Sequence, residues 1–384
     1  SGGISHFAPD YAKLLRLGCD GIAREAQRRQ AGAAPGTEVW NFCQGVRIAA
    51  EGLAAFGERY ADLAQTLAAA ESDPRRRAEL EEIAAVCRRV PRHPARTLRE
   101  AVQSLFFAQI ALNLESLDNA VCPGRMDQYL LPYYQDDLAA GRLHREGARE
   151  ILAAFSIKMS EIVPVFSEHL TNFHGGMFNG QVVTVGGQDA DGGDATNALS
   201  FLFLEILDAL RMRQPNFHAR LHAGSPAAFR TRIGAALASG ANSPALYNDE
   251  AIVPTLTAHG YAPEHARDYT GVGCVEPVSQ GRSFASTDAA LVNTPVALEL
   301  ALNQGRRFGS RRRVGPETPA ATEMTSMAEV CAAFEAQLGF LLGKRWEVRP
   351  FAVSGAPVVG FPEETLKQAM DYQPDMIVIL LGSN

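Results

Sequence analysis

No apolar run in this sequence approaches the ~20 residues of a bilayer span, so no membrane partner is expected. The opening Ser1-Gly2-Gly3 carries no basic-then-apolar signal, which favours a cytoplasmic protein, a bacterial microcompartment included. Paired cysteines are also missing. Cys19, Cys43, Cys87, Cys122, Cys274 and Cys331 are scattered and form no CxxC, against a disulfide framework or a zinc knuckle. There is no excess of positive charge: 36 Lys and Arg face 43 Asp and Glu, a net charge of −7. A nucleic-acid or anionic-membrane partner therefore has no electrostatic support. What is present is 46% hydrophobic residues over 384 positions, enough for a large core and too apolar for a disordered chain.

The first third reads as helical. Residues 9–30 and 37–71 repeat apolar positions every three to four residues, and Pro35-Gly36 breaks them. Asp73-Pro74 opens a third helix as N-cap and first-turn proline, and an apolar helix runs through Leu105, Phe106, Ile110 and Leu114. From about residue 180 the rhythm changes. Strands are expected at 182–185, 217–222, 245–247 and 269–274, with helices at 196–212, 226–239, 249–259 (capped by Asp249) and 288–303 (capped by Asp288). Alternating strands and helices imply parallel pairing through crossovers and place catalytic groups at strand ends. A barrel, a half-barrel and an open sheet fit equally well.

The strongest chemical signal is Val272-Gly273-Cys274-Val275-Glu276-Pro277. In one extended segment Cys274 and Glu276 share a face, with Gly271 and Gly273 allowing close backbone approach and Pro277 ending the strand pairing. A sulfur and a carboxyl presented together can remove a hydrogen atom and a proton from adjacent atoms of a small substrate. The plainer alternative is a buried structural cysteine beside a surface glutamate.

Gly273-Cys274-Val275-Glu276-Pro277 resembles the cysteine loop of glycyl radical enzymes, in the branch of glycerol and diol dehydratases and choline trimethylamine-lyase. Further segments match in the same order. They are Pro123-Gly124-Arg125-Met126-Asp127-Gln128-Tyr129 with Pro132-Tyr133-Tyr134, Val185-Gly186-Gly187 with Asp194-Ala195-Thr196-Asn197, Tyr247-Asn248-Asp249-Glu250, the Ala297–Asn303 run and Val314-Gly315-Pro316-Glu317-Thr318. The resemblance spans roughly residues 4–342. It implies an α/β fold: a helical part over 1–175, then part of a barrel of two parallel half-barrels over 176–346 with the cysteine loop inside. It also implies that a glycyl radical in a C-terminal domain, installed by a radical-SAM activase, converts Cys274 to a thiyl. The thiyl takes hydrogen from a small hydroxylated substrate while Glu276 takes the hydroxyl proton. Asp288 stands where relatives place a carboxylate near substrate hydroxyls, or else simply caps its helix. Asn119 occupies a substrate-contacting position. The segment holding His174 and Phe178 either lines the cavity, as the corresponding loop does in the family, or is plain turn chemistry. No bound cofactor is expected, and a homodimer is left open.

Two departures bear on function. Where glycerol dehydratase-like members have Gly-His-Ser, this chain has Asp118-Asn119-Ala120, and Ala120 cannot donate a hydrogen bond, which argues against glycerol. No RVxGY-type radical loop occurs, so this chain alone is expected to be inactive. The last stretch, 347–384, resembles the middle blocks of SGNH esterases, in which Gly355 and Asn384 would help form an oxyanion hole. Its nucleophile and Asp-His blocks are absent, so ester hydrolysis is not expected. A catalytically dead structural or regulatory paralogue is the alternative reading, and an ester-hydrolase fragment a distant one. Asp189, Asp191 and Asp194 read as a polar turn, not an EF-hand, and His218 and His222 as structural or pocket-lining, not metal ligands. The arginines of 306–313 read as a solvated loop.

Overall fold

The computed structural model describes residues 6–115, 120–163, 168, 172, 180–240, 243–273, 276–283 and 294–343. They fall in two compact units, 1–288 and 289–384. In the first, α1 (Tyr11–Ala31), α2 (Glu38–Ala70), α3 (Pro74–Arg89) and α4 (Leu98–Glu115) fill the expected helical third. The side chain of Asp73 accepts from Arg75 N with Pro74 at the first helical position. After α5 (Met126–Tyr129), α6 (Leu131–Ala139) and α7 (Arg145–Ser160), strands β1 (Val182–Gly186), β2 (Asn216–Leu221) and β3 (Ala245–Asn248) pair in parallel, in that order. Helices α8 (Ala198–Leu210) and α9 (Ala227–Ala238) make the crossovers. Among the described residues, no helix is long and apolar enough to cross a membrane.

Alternation along the strands sorts their side chains between two layers. Val183, Val185, Phe217 and Ala219 join the helical core with Leu105, Leu152, Phe203 and Phe229. The opposite face, carrying Val182, Thr184, His218 and Arg220, meets a hairpin of β4 (Tyr269–Val272) and β5 (Glu276–Ser279). Between β3 and this hairpin lie α10 (Asp249–Ala258) and α11 (Pro263–Arg267). β1 and the centre of β2 are buried on both faces, whereas the edge strand β3 exposes Ala245, Leu246 and Asn248.

Three local expectations are corrected. Residues 269–274 are not one extended strand: β4 stops at Val272, Gly273 turns at φ +55°, and β5 returns antiparallel with Val272 opposite Glu276. Pro277 does not end pairing but lies within β5 opposite Gly271. Asn248, not Asp249, caps α10, accepting from Glu250 N, because the Asp249 carboxylate is turned inward to a buried arginine.

In the second unit, α12 (Thr294–Leu302) and α13 (Met327–Leu342) pack together, burying Ala297, Leu300, Ala333 and Leu338. Arg313 pairs with Glu317 and Arg307 with Glu299, consistent with a solvated basic loop.

Candidate active site

The β4–β5 hairpin is where the chemistry-bearing residues of the first unit converge. Its root is held by two buried arginines. Arg220 on β2 donates to both carboxylate oxygens of Asp249 (2.9 and 2.8 Å) and to the carbonyl of Tyr269 (2.7 Å). The Tyr269 hydroxyl and the Gln188 amide also donate to Asp249 (2.7 and 3.0 Å), and the Arg220 guanidinium lies 3.8 Å from the Tyr269 ring centroid. Arg125 donates to the carbonyls of Arg267, Gly186 and Gln188 and to the Asp268 carboxylate (2.9 Å). At the far end of β5, Gln280 donates to the Pro9 and Pro123 carbonyls and accepts from Arg125 N.

Several motif residues of the sequence are thus structural. Asp127 accepts from Gly186 N (2.8 Å) and Ser200 Oγ (2.5 Å), and Asn197 donates to the Asp127 carbonyl while capping α8. Burial raises the Asp127 carboxyl above its usual range, against the pull of Arg125 and these donors.

Glu276 opens β5, with its side chain 15% exposed. Its Oε1 lies 2.5 Å from Nδ1 of His6, whose ring is 3% exposed, a hydrogen bond between the two side chains. A Cβ placed on Gly273 would stand 2.5 Å from that same Nδ1 and 2.9 Å from Glu276 Oε2. Gly273 is therefore demanded twice, by its positive φ and by the two side chains packed on it. One carboxyl oxygen is held by the imidazole; the other lies beside Gly273.

Two non-glycine residues with left-handed backbone flank the site, His6 at φ +58° and Ala120 at φ +66°, bridged by Phe7 N donating to the Ala120 carbonyl. Such outliers cluster where geometry serves function. A dry wall surrounds the hairpin: Ala8, Ala120, Cys122, Val182, Val272 and Val278 are buried together. Burial pushes the Cys122 thiol up to about 12, so it is protonated at neutral pH.

Of the candidate catalytic and substrate-contacting residues, only Glu276 is described. Cys274, Asn119, His174, Phe178 and Asp288 lie outside the described residues, as does 347–384. His6 was missed, because no spacing rule joins it to a carboxylate 270 positions away. His218 and His222 do not come together on a metal: His222 bonds Asp194 (3.1 Å), while His218 stacks on Tyr247. No group of three or more His, Cys, Asp or Glu able to hold a metal occurs among the described residues. The Asp189 turn is closed by its own backbone, Asp189 accepting from the amides of Asp191 and Gly193.

Burial drives the His218 imidazole down to about 4, opposed by the charge of Glu276, with the Tyr247 ring covering its face. The unfolded chain protonates this histidine near pH 6.5 and the folded one does not. Folding is thus fully favoured by this group above pH 6.5 and loses stability as pH falls toward 4, by roughly 3 kcal/mol in all. Urea titrations of parent and His218→Asn at pH 7.5 and 4.5 check this: the parent is expected to lose more stability on acidification. Equal losses would show that the imidazole is solvated.

A family model described as pyruvate formate lyase-like matches residues 1–347. The isethionate sulfite-lyase of Oleidesulfovibrio alaskensis is 35% identical over 337 residues, covering 85% of this chain and 40% of that protein. Among solved structures, the glycerol-bound B12-independent glycerol dehydratase from Clostridium butyricum superposes with a TM-score of 0.83 at 35% identity, covering 88% of this chain and 43% of that one. A glycyl radical enzyme from Archaeoglobus fulgidus superposes at 0.81 with 40% identity, over 88% of this chain and 44% of the other. The chain spans about two fifths of the length of the curated relatives it matches. The α/β architecture follows part of the barrels of these enzymes.

Proposed function

Because the chain belongs to the pyruvate formate lyase-like family, we propose that it carries the reacting cysteine–glutamate pair of a glycyl radical lyase or dehydratase. The observation that carries this is the Glu276 carboxyl at the hairpin, one oxygen held by buried His6 and the other turned toward Gly273. The aliphatic wall of Val182, Val272 and Val278 suits chemistry that water would quench. A glycyl radical, contributed by a C-terminal segment and installed by a radical-SAM activase, would supply hydrogen-atom abstraction from Cys274.

Cys274 then takes a hydrogen atom from the substrate carbon that bears a hydroxyl. Glu276 accepts the hydroxyl proton through Oε2, the oxygen nearer Gly273, while His6 holds the other oxygen. The leaving group departs from the neighbouring carbon with its electron pair, and Cys274 returns the hydrogen atom to the product. The substrate class is a small molecule with a hydroxyl on one carbon and a leaving group on the next. Isethionate sulfite-lyase and glycerol dehydratase, by their names, act on molecules of this class. Asp288, Asn119, His174 and Phe178 are proposed to contact it.

The test is anaerobic turnover by the whole gene product that contains this chain, coexpressed with its activase. A glycyl electron paramagnetic resonance doublet should accompany carbonyl release from a 1,2-diol or a 2-hydroxysulfonate. A strong doublet with no turnover of any such substrate would overturn the assignment.

A further inference from the structure

We propose that His218 is a positioning residue whose ring fills a notch at Gly271 and thereby sets where the Glu276 carboxyl stands. This rests on the reading of Glu276 given above. His218 and Arg220 are alternate residues of β2 and both rise toward the hairpin. Arg220 fixes β4 through the Tyr269 carbonyl; two residues on, His218 meets Gly271. A Cβ on Gly271 would overlap Nδ1 of His218 and come within 3.1 Å of the Tyr247 hydroxyl. Unlike Gly273, Gly271 has no positive φ, so what it supplies is space alone.

The ring cannot slide out of the notch. It is 2% exposed and stacks on Tyr247 with centroids 4.7 Å apart and planes 26° from parallel. Its Nδ1, pressed against Gly271, is buried without a hydrogen-bond partner. A polar atom kept in so costly a place needs a reason, and shape at the notch supplies one. Gly271 pairs with Pro277, the neighbour of Glu276, so any shift of β4 reaches the carboxyl directly. A misplacement of about 1 Å is enough to cost ~100-fold in rate.

The test is a double-mutant cycle in the intact, activated enzyme. Gly271→Ala should lower kcat about 100-fold with KM changed less than about twofold. Adding His218→Ala should recover kcat to within about fivefold of His218→Ala alone, since the cavity admits the new methyl. Melting temperature, read without substrate, should fall in Gly271→Ala and recover in the double variant. His218→Asn, which puts an amide where Nδ1 stood, should keep kcat within about threefold of the parent. Should Gly271→Ala fail to fold, refolding of the double variant is the readout. A double variant no better than Gly271→Ala in both measures, or a fully active Gly271→Ala, defeats the proposal. Full activity in Glu276→Gln would instead defeat the underlying site reading and leave the packing cycle intact.

Discussion

Glu276→Gln, in the activated whole enzyme, is expected to lose about 10²–10⁴-fold in kcat with KM nearly unchanged. The amide keeps the volume of the carboxyl, and its oxygen still faces the imidazole of His6 2.5 Å away. What it loses is the ability to accept a proton when the hydroxyl carbon gives up its hydrogen atom. The second oxygen stands beside Gly273, on the side from which that proton would come. Cys274→Ala removes the hydrogen-abstracting sulfur and should abolish turnover while leaving the glycyl doublet in place. Single-turnover assays on matched radical content separate the two variants. Activity within tenfold of the parent in either would remove that residue from the reaction.

Asp249→Ala is expected to destabilise the first unit by about 3–5 kcal/mol. Arg220 and Asp249 are both fully buried, and removing the carboxylate strands a guanidinium in a low-dielectric interior. The Tyr269 hydroxyl and the Gln188 amide lose their acceptor in the same step. The remaining contacts of Arg220, with the Tyr269 carbonyl and ring, cannot neutralise its charge. Urea unfolding of the parent and variant, compared at equal m-value, measures the effect. A loss under about 1 kcal/mol would mean that water reaches the pair. Because the same arginine fixes the root of the hairpin, residual activity per folded molecule should fall as well.

Much of the architecture was legible in the residues because it rests on local rules. Asp73-Pro74 carries its own helix start, and the alternation in Phe217-His218-Ala219-Arg220 states a strand whatever surrounds it. Parallel pairing of β1, β2 and β3 followed from the strand–helix order, since parallel neighbours need a crossover, but β4 pairs antiparallel with β5 instead. The Cys274–Glu276 spacing rested on one extended segment, whereas β4 ends at Val272, Gly273 has positive φ and β5 returns antiparallel from Glu276. A glycine-rich stretch reads as strand or as hairpin until its partner strand is known.

The sequence by itself determined most of the elements and the family, because periodicity, capping and motif order are properties of neighbouring residues. Only the tertiary structure decided that Glu276 is met by His6, that Asp249 serves Arg220 and leaves its helix end to Asn248, and that His218 fits Gly271. Each of those pairings joins positions far apart along the chain, and no local rule encodes a contact that exists only after the hairpin has settled against β2.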